Sequence, residues 1–116
     1  MKIEGDALEL RIHVGEADRW HGRPLHEAIL ARLLERGMAG ATVLRGIEGF
    51  GHNAHLHTAK LLRLSEDLPI VIDVIDGADR IRAILPELDE MVGDGLITVQ
   101  PVEVIAYRGA GRTPPG

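Results

Sequence analysis

Between Arg45 and Arg63 the chain reads RGIEGFGHNAHLHTAKLLR, with three basic side chains (Arg45, Lys60, Arg63) against one acid, Glu48. Gly46, Gly49 and Gly51 lie among them, as do three of the six histidines, His52, His55 and His57. Closely spaced glycines let backbone N–H groups approach an anion, and flanking cations add charge to that cradle. The same glycines would serve a plain connection equally well. Local positive charge in a chain of net charge −5 tips the reading towards contact with a small anionic ligand. The histidines offer an alternative. In an extended segment His55 and His57 point to one side, and three imidazoles could hold zinc or copper with one position left open. No acid lies among the three, and loop histidines often take up metal adventitiously, so a divalent-metal site stands second.

Other candidate groups are thinner. Glu16, Asp18 and His21 sit beside Arg19, Arg23 and the single tryptophan, Trp20. They could line a cleft or meet another subunit, or simply form a solvated loop anchored by Trp20. His13 alternates with Glu9 and Arg11, which suits an interface better than catalysis. Ser65 is the sole serine, and Leu64-Ser65-Glu66-Asp67 forms no nucleophile elbow. With no cysteine and no positioned base, no catalytic constellation emerges, and an enzyme acting on a phosphorylated small molecule ranks last.

Bulk properties bound the answer. A chain of 116 residues fits one domain, residues 1–116, with a core of about 8–107 and a Gly/Pro-rich, loose tail over 108–116. Its net charge of −5 argues against a duplex-binding surface, and one Trp, one Tyr and one Phe are too few for a nucleic-acid stacking platform. No apolar run approaches the roughly 20 residues of a spanning helix. The opening MKIEGDALEL lacks the apolar core of a signal peptide. A cytoplasmic protein, not membrane-embedded, is expected.

The elements that must position these residues follow from periodicity. Leu8, Leu10, Ile12 and Val14 alternate with Glu9, Arg11 and His13, predicting a half-buried strand. Pro24 suits a first helical turn, Leu25, Ala28, Ile29, Leu33 and Leu34 recur at helical spacing, and Gly37 stops the helix. A strand over 41–45 leads into the glycine-rich loop. A third, long strand starts near Ala59, is interrupted around Pro69 and continues over 70–75. Asp76-Gly77 opens a helix carrying Ile81, Ile84, Leu85, Leu88 and Met91, which Pro86 should kink or split. After Gly93-Asp94-Gly95 the apolar parity of the last strand flips at Gln100-Pro101, predicting a bulge on an edge.

Strand, helix, strand, strand, helix, strand is the order of a ferredoxin-like βαββαβ sandwich in the α+β class. Its four-stranded antiparallel sheet carries two helices on one face. The other face is left bare. Ile70 to Ile75 is apolar at five of six positions, which predicts burial on both faces, and no element remains to cover the second. Either a symmetric partner covers it, or part of the run packs under a loop. The exposed-patch argument favours oligomerisation.

Gly37-Met38-Ala39-Gly40-Ala41-Thr42-Val43, followed by Gly49-Phe50-Gly51-His52, resembles the strand-to-loop passage of the PII signalling proteins. Gly93-Asp94-Gly95-Leu96-Ile97 resembles their loop after the second helix. A closer resemblance is to a PII-like family, domain of unknown function 190. It rests on Gly15-Glu16-Ala17-Asp18, Gly22-Arg23-Pro24-Leu25, Ala39-Gly40-Ala41-Thr42-Val43-Leu44-Arg45-Gly46, His57-Thr58-Ala59-Lys60 and Leu64-Ser65-Glu66-Asp67-Leu68-Pro69, and it spans roughly Leu8 to Tyr107. The resemblance implies a PII-like homotrimer with adenine nucleotides in clefts between subunits. It also implies a mobile loop, residues 46–57, that reaches a membrane transporter or an enzyme target. Carried onto this chain, the loop base is Arg45, Gly46, Gly49 and Gly51, the second turn is Gly93 and Gly95, and the C-terminal arginine is Arg108. With His52, Lys60 and Arg63 from the loop, these form the expected ligand set. PII proteins have a phosphate-binding lysine after the Gly-Asp-Gly turn, where this chain has Leu96. That departure points to a smaller or less charged nucleotide than ATP, or to none.

Overall fold

The alternation at the start of the chain forms strand β1 (Ala7–Gly15), with Leu8, Leu10, Ile12 and Val14 all buried. A computed structural model describes residues 3, 5–51, 57–58 and 67–109, of which 57 and 58 are described by backbone alone. After β1 a short ribbon pairs β2 (Arg19–Trp20) with β3 (Arg23–Pro24), where the sequence shows only a polar connection. Helix α1 (Leu25–Glu35) then buries Leu25, Ala28, Ile29 and Leu33. Pro24 is its N-cap, one residue ahead of the expected first turn. Leu34, grouped with the apolar stripe by spacing, is instead 80% exposed on the flank beside Leu33. Gly37 ends the helix in the left-handed region (φ +69). Its N–H bonds to the Leu34 carbonyl and that of Met38 to Leu33, the paired bonds of a Schellman motif.

Strand β4 (Ala41–Arg45) follows, and a second ribbon pairs β5 (Glu48–Gly49) with β6 (His57–Thr58). The next described strand, β7, runs Pro69–Gly77. The expected start near Ala59 lies outside the described residues. Pro69 stands first in β7, where its missing N–H spares the interior of the ladder, and its carbonyl accepts from Gly46 N–H at 2.7 Å. Helix α2 (Ala78–Met91) is continuous through Pro86, so of the kink or split expected there the split does not occur. Pro86 and Arg82 are both exposed, so the carbonyl that loses its partner faces water. Strand β8 (Leu96–Val102) closes the sheet.

The sheet is antiparallel in the order β4-β7-β1-β8. Ile70, Ile72 and Val74 join the β1 residues on one face, packed against Ile29 and Leu33 of α1 and Ile81, Ile84 and Leu88 of α2. This is the expected ferredoxin-like sandwich. Full burial of each such side chain is worth on the order of 1.5–3 kcal/mol. Within the chain the outer face of β7 is only partly covered: Val71 and Asp73 are half-buried and Ile75 is 37% exposed, while their neighbours form the core. One expectation fails in detail: β8 does not bulge, since Leu96 through Val102 pair with His13 through Ala7 without interruption. The change of parity marks a change of face instead. Ile97 and Val99 pack on the core, whereas Val102 pairs with Ala7, out of phase with the core-facing residues.

Polar contacts fix the helices to this frame. Asp76, 1% exposed at the end of β7, accepts from Ala39 N–H (2.8 Å), Gly77 N–H (2.7 Å) and Arg80 Nε (3.2 Å). Arg80 also donates to the Gly37 carbonyl, so one buried acid ties the turn after α1 to the start of α2. Across the helices, Glu87 receives Arg32 Nη1 at 2.9 Å and Arg36 Nη2 at 2.7 Å.

Candidate functional site

Where β4 ends and β1 ends, three predicted residues meet. Arg45 closes β4 and pairs in register with Ile70, while Gly15 pairs with Pro69. A Cβ on Gly46 would fall 2.8 Å from Pro69 Cγ, and one on Gly49 3.1 Å from the same atom. The close approach of Pro69 leaves no room for a Cβ at Gly46 and makes one tight at Gly49, and neither has a positive φ. Gly51 has open space around it. The Arg45 guanidinium forms an ion pair with Glu16, a partner the sequence reading did not assign to it. The two are far apart in sequence, and the signal that joins them is the antiparallel register through β7.

The turn carrying Glu16 is itself pinned. Its N–H bonds to the Leu68 carbonyl at 2.9 Å, Asp18 Oδ2 accepts from Gly15 N–H at 2.8 Å, and Asp67 Oδ1 accepts from Ala17 N–H at 3.0 Å. Asp18 thus acts in the turn rather than in a cleft. His21 stacks on Trp20 with ring centroids 4.2 Å apart.

Gly93 and Gly95 precede β8 at the same end of the sheet, on the opposite edge from Arg45. Three strand spacings separate the edges, about 14 Å. A Cβ on Gly95 would lie 2.5 Å from the His13 carbonyl oxygen, whereas Gly93 is unencumbered. Leu96 begins β8 and is 54% exposed opposite His13. Arg108 is exposed and follows Tyr107, whose hydroxyl bonds to the Ala39 carbonyl at 2.7 Å. Ala39 lies six residues before Arg45, about 20 Å along an extended chain. Within one chain the predicted ligand set is therefore divided among three places. His52, His55, Lys60 and Arg63 lie outside the described residues, and His57 is described by backbone alone. The metal reading falls on these positions.

The open sheet face holds a polar cluster at its centre. Gln100 Nε2 donates to Glu9 Oε1 at 2.6 Å, and Arg11 reaches Glu9 Oε2 at 3.5 Å and Asp73 Oδ1 at 3.3 Å. A hydrogen bond from Asp73, together with that from Gln100, holds the Glu9 carboxyl below the usual range. Burial, then the bond and charge of Glu9, push Asp73 up. Two acids with opposed shifts share one proton more readily than either alone.

Beside this cluster the chain past β8 turns across the end of the open face. Residues 103–107, with Ala39–Thr42, Asp73 and Ile75, line an open cleft of about 710 Å³. That size is in the range of small-molecule sites. The expectation that no element could cover the bare face is thus corrected at one end, where this segment covers it. Sequence reasoning placed Tyr107 at the end of the core and gave it no role, although it is the only tyrosine in the chain.

The family model of domain of unknown function 190 (DUF190, Uncharacterized ACR) matches residues 7–104. A UPF0166 protein of Aquifex aeolicus is 40% identical over 96 residues, covering 83% of this chain and 90% of its own length. A UPF0166 protein of Methanocaldococcus jannaschii is 34% identical over 101 residues, covering 86% and 91%. Among solved structures, CPII, a nitrogen regulatory PII-like protein from Thiomonas intermedia K12 bound to ADP, AMP and bicarbonate, superposes with a TM-score of 0.65. It is 18% identical, with 89% of this chain and 92% of that chain covered. CPII bound to ADP and bicarbonate gives 0.55 at 17% identity, with 89% and 93% covered. At these identities the likeness concerns the fold, which is PII-like.

Proposed function

This chain belongs to the DUF190 family, and on that premise we propose that it is a PII-like regulatory protein. It binds a small anionic ligand, an adenine nucleotide, in clefts between the subunits of a homotrimer. The observation that carries this reading is the division of the site. The loop base with Arg45 and the cleft walled by residues 103–107 occupy opposite ends of one chain, and each is half of what a nucleotide needs. One end offers a cation and close backbone, the other an open, largely apolar cleft. A neighbouring copy laid on the open face brings one subunit's loop base to another's cleft. Leu44 (55% exposed), Ile75 (37%) and Leu96 (54%) on that face supply apolar surface for such a contact. The complexes of CPII with ADP, AMP and bicarbonate support the ligand class.

Leu96 narrows it. With an alkyl side chain where PII proteins place a lysine, phosphate charge beyond what Arg45 can meet goes unanswered, which favours AMP or ADP over ATP. Output runs through the loop, residues 46–57. A ligand that binds one loop state better shifts the population and changes the surface offered to a transporter or enzyme target. Among the described residues no helix is long and apolar enough to cross a membrane. The role is regulatory rather than catalytic. Calorimetric titration with ATP, ADP, AMP and cyclic nucleotides, beside sedimentation analysis, tests it. Binding of AMP or ADP by a trimer is the expected result. Failure of all of them at millimolar concentration, or a monomer at every concentration, would overturn it.

A further inference from the structure

An anion at Arg45 meets a competitor: the guanidinium is paired with Glu16. The acid is the more buried of the two, 19% exposed at its side chain against 59% for Arg45. It projects from a turn whose backbone is fixed by the Glu16 N–H bond to Leu68 and the Ala17 N–H bond to Asp67. A carboxylate on a rigid turn against the cation of an anion site is the reverse of what affinity alone would select. We propose that Glu16 is a built-in competitor for Arg45, which weakens every anion at this site so that only ligands with further contacts are held appreciably.

This rests on the reading of Arg45 as an anion contact. An anion at Arg45 either displaces the Glu16 carboxylate or lies beside it, and the lost pair and the repulsion act in the same direction. Inorganic phosphate or bicarbonate has nothing with which to offset that cost. A nucleoside phosphate has a ribose and a base to place in the cleft of a neighbouring subunit. Glu16 thereby sets a threshold of affinity that the organic part of the ligand helps to pass, without changing the ratio between ligands.

The test titrates inorganic phosphate and AMP into the full-length wild type, Glu16→Gln, Arg45→Gln and the double variant by calorimetry. Glutamine keeps the length of the side chain, and the backbone bonds of the turn do not depend on its charge. Glu16→Gln should tighten both ligands about two- to fivefold, the scale of a partly exposed ion pair. The two should gain by similar factors, since they share the contact at Arg45, and Arg45→Gln should erase the gain. Unchanged or weaker binding in Glu16→Gln overturns the proposal. If neither ligand binds any form, the nucleotide reading falls, and Glu16 is judged by phenylglyoxal labelling of Arg45 read by peptide mass spectrometry. Faster labelling in Glu16→Gln supports the competitor role, and equal rates overturn it.

Discussion

The Tyr107 hydroxyl donates to the Ala39 carbonyl at 2.7 Å, joining the segment past β8 to the turn that enters β4. The N–H of that same residue is held from the other side by Asp76 at 2.8 Å. One wall of the cleft is thus pinned at both polar groups of a single residue. Tyr107 is 42% exposed and Asp76 is 1% exposed, so the two bonds differ in what their loss should do.

Tyr107→Phe exchanges a partly exposed hydrogen bond for one with water, and stability should change by less than about 1 kcal/mol. The effect belongs on the cleft instead. Amide exchange over residues 103–107 should speed up, and AMP affinity should fall severalfold. Unaltered exchange there would mean that the hydroxyl does not hold the segment.

Asp76→Ala leaves two backbone N–H groups and the Arg80 guanidinium without their buried acceptor. A loss of about 3 kcal/mol is expected, as for other buried pairs broken on one side. Urea unfolding at fixed protein concentration should show a lower midpoint at an unchanged slope. A loss under about 0.5 kcal/mol would show that water replaces the carboxylate.

The two glycines before β8 should separate cleanly. Gly95→Ala puts a methyl group 2.5 Å from the His13 carbonyl oxygen, a backbone atom that cannot turn aside. The edge of the sheet must shift, at a cost of roughly 1–3 kcal/mol. Gly93→Ala meets nothing within 4 Å and needs no positive φ, so its effect should stay within about 0.5 kcal/mol. Thermal denaturation of the pair checks this, and equal losses would contradict the geometry.

The Glu9–Asp73 pair predicts opposed pH slopes. Asp73 is raised in the fold, so the stability linked to it is complete at low pH and is lost as pH rises from 3.8 through the raised value. Glu9 is lowered, so its contribution is complete above 4.5 and is lost as pH falls through the lowered value. Asp73→Asn should therefore gain stability relative to wild type between pH 3 and pH 7, with the Asn amide replacing the protonated acid as donor to Glu9. Glu9→Gln should lose stability relative to wild type over the same interval. Urea midpoints at several pH values give both slopes, and parallel curves would rule out the shared proton.

Much of this architecture was legible in the sequence because burial on one face leaves a periodic trace. The alternation of Leu8, Leu10, Ile12 and Val14 and the spacing of Ile81, Ile84, Leu88 and Met91 locate the central strand and the second helix directly. Failures came where one signal has two causes. The parity change near Gln100 resembles a bulge, but the register shows apolar residues passing from the core face to the open face. The run from Ile70 to Ile75 resembles a doubly buried strand because its outer side is also apolar, which suits a surface awaiting a second copy. The Arg45–Glu16 pair and the Tyr107–Ala39 bond left no trace, because they depend on which strand ends become neighbours.

Leu96 offers the most direct test of ligand class. It begins β8 at the sheet end shared with Arg45, is 54% exposed, and stands opposite His13. Leu96→Lys adds a cation there without disturbing the core, since the alkyl stem can lie where the leucine lay. A charge-assisted hydrogen bond to phosphate is worth about 1.5–3 kcal/mol when fully made, and exposure reduces it. The added charge acts on the outer phosphates and not on the base, so ATP affinity should rise about tenfold relative to AMP, with AMP nearly unchanged. Raising the salt should shrink the gain, because exposed charges are screened within roughly 10 Å at 0.1 M. Equal gains for AMP and ATP would show that the lysine acts as a general attractor. No gain for either would place the phosphates away from this edge of the sheet.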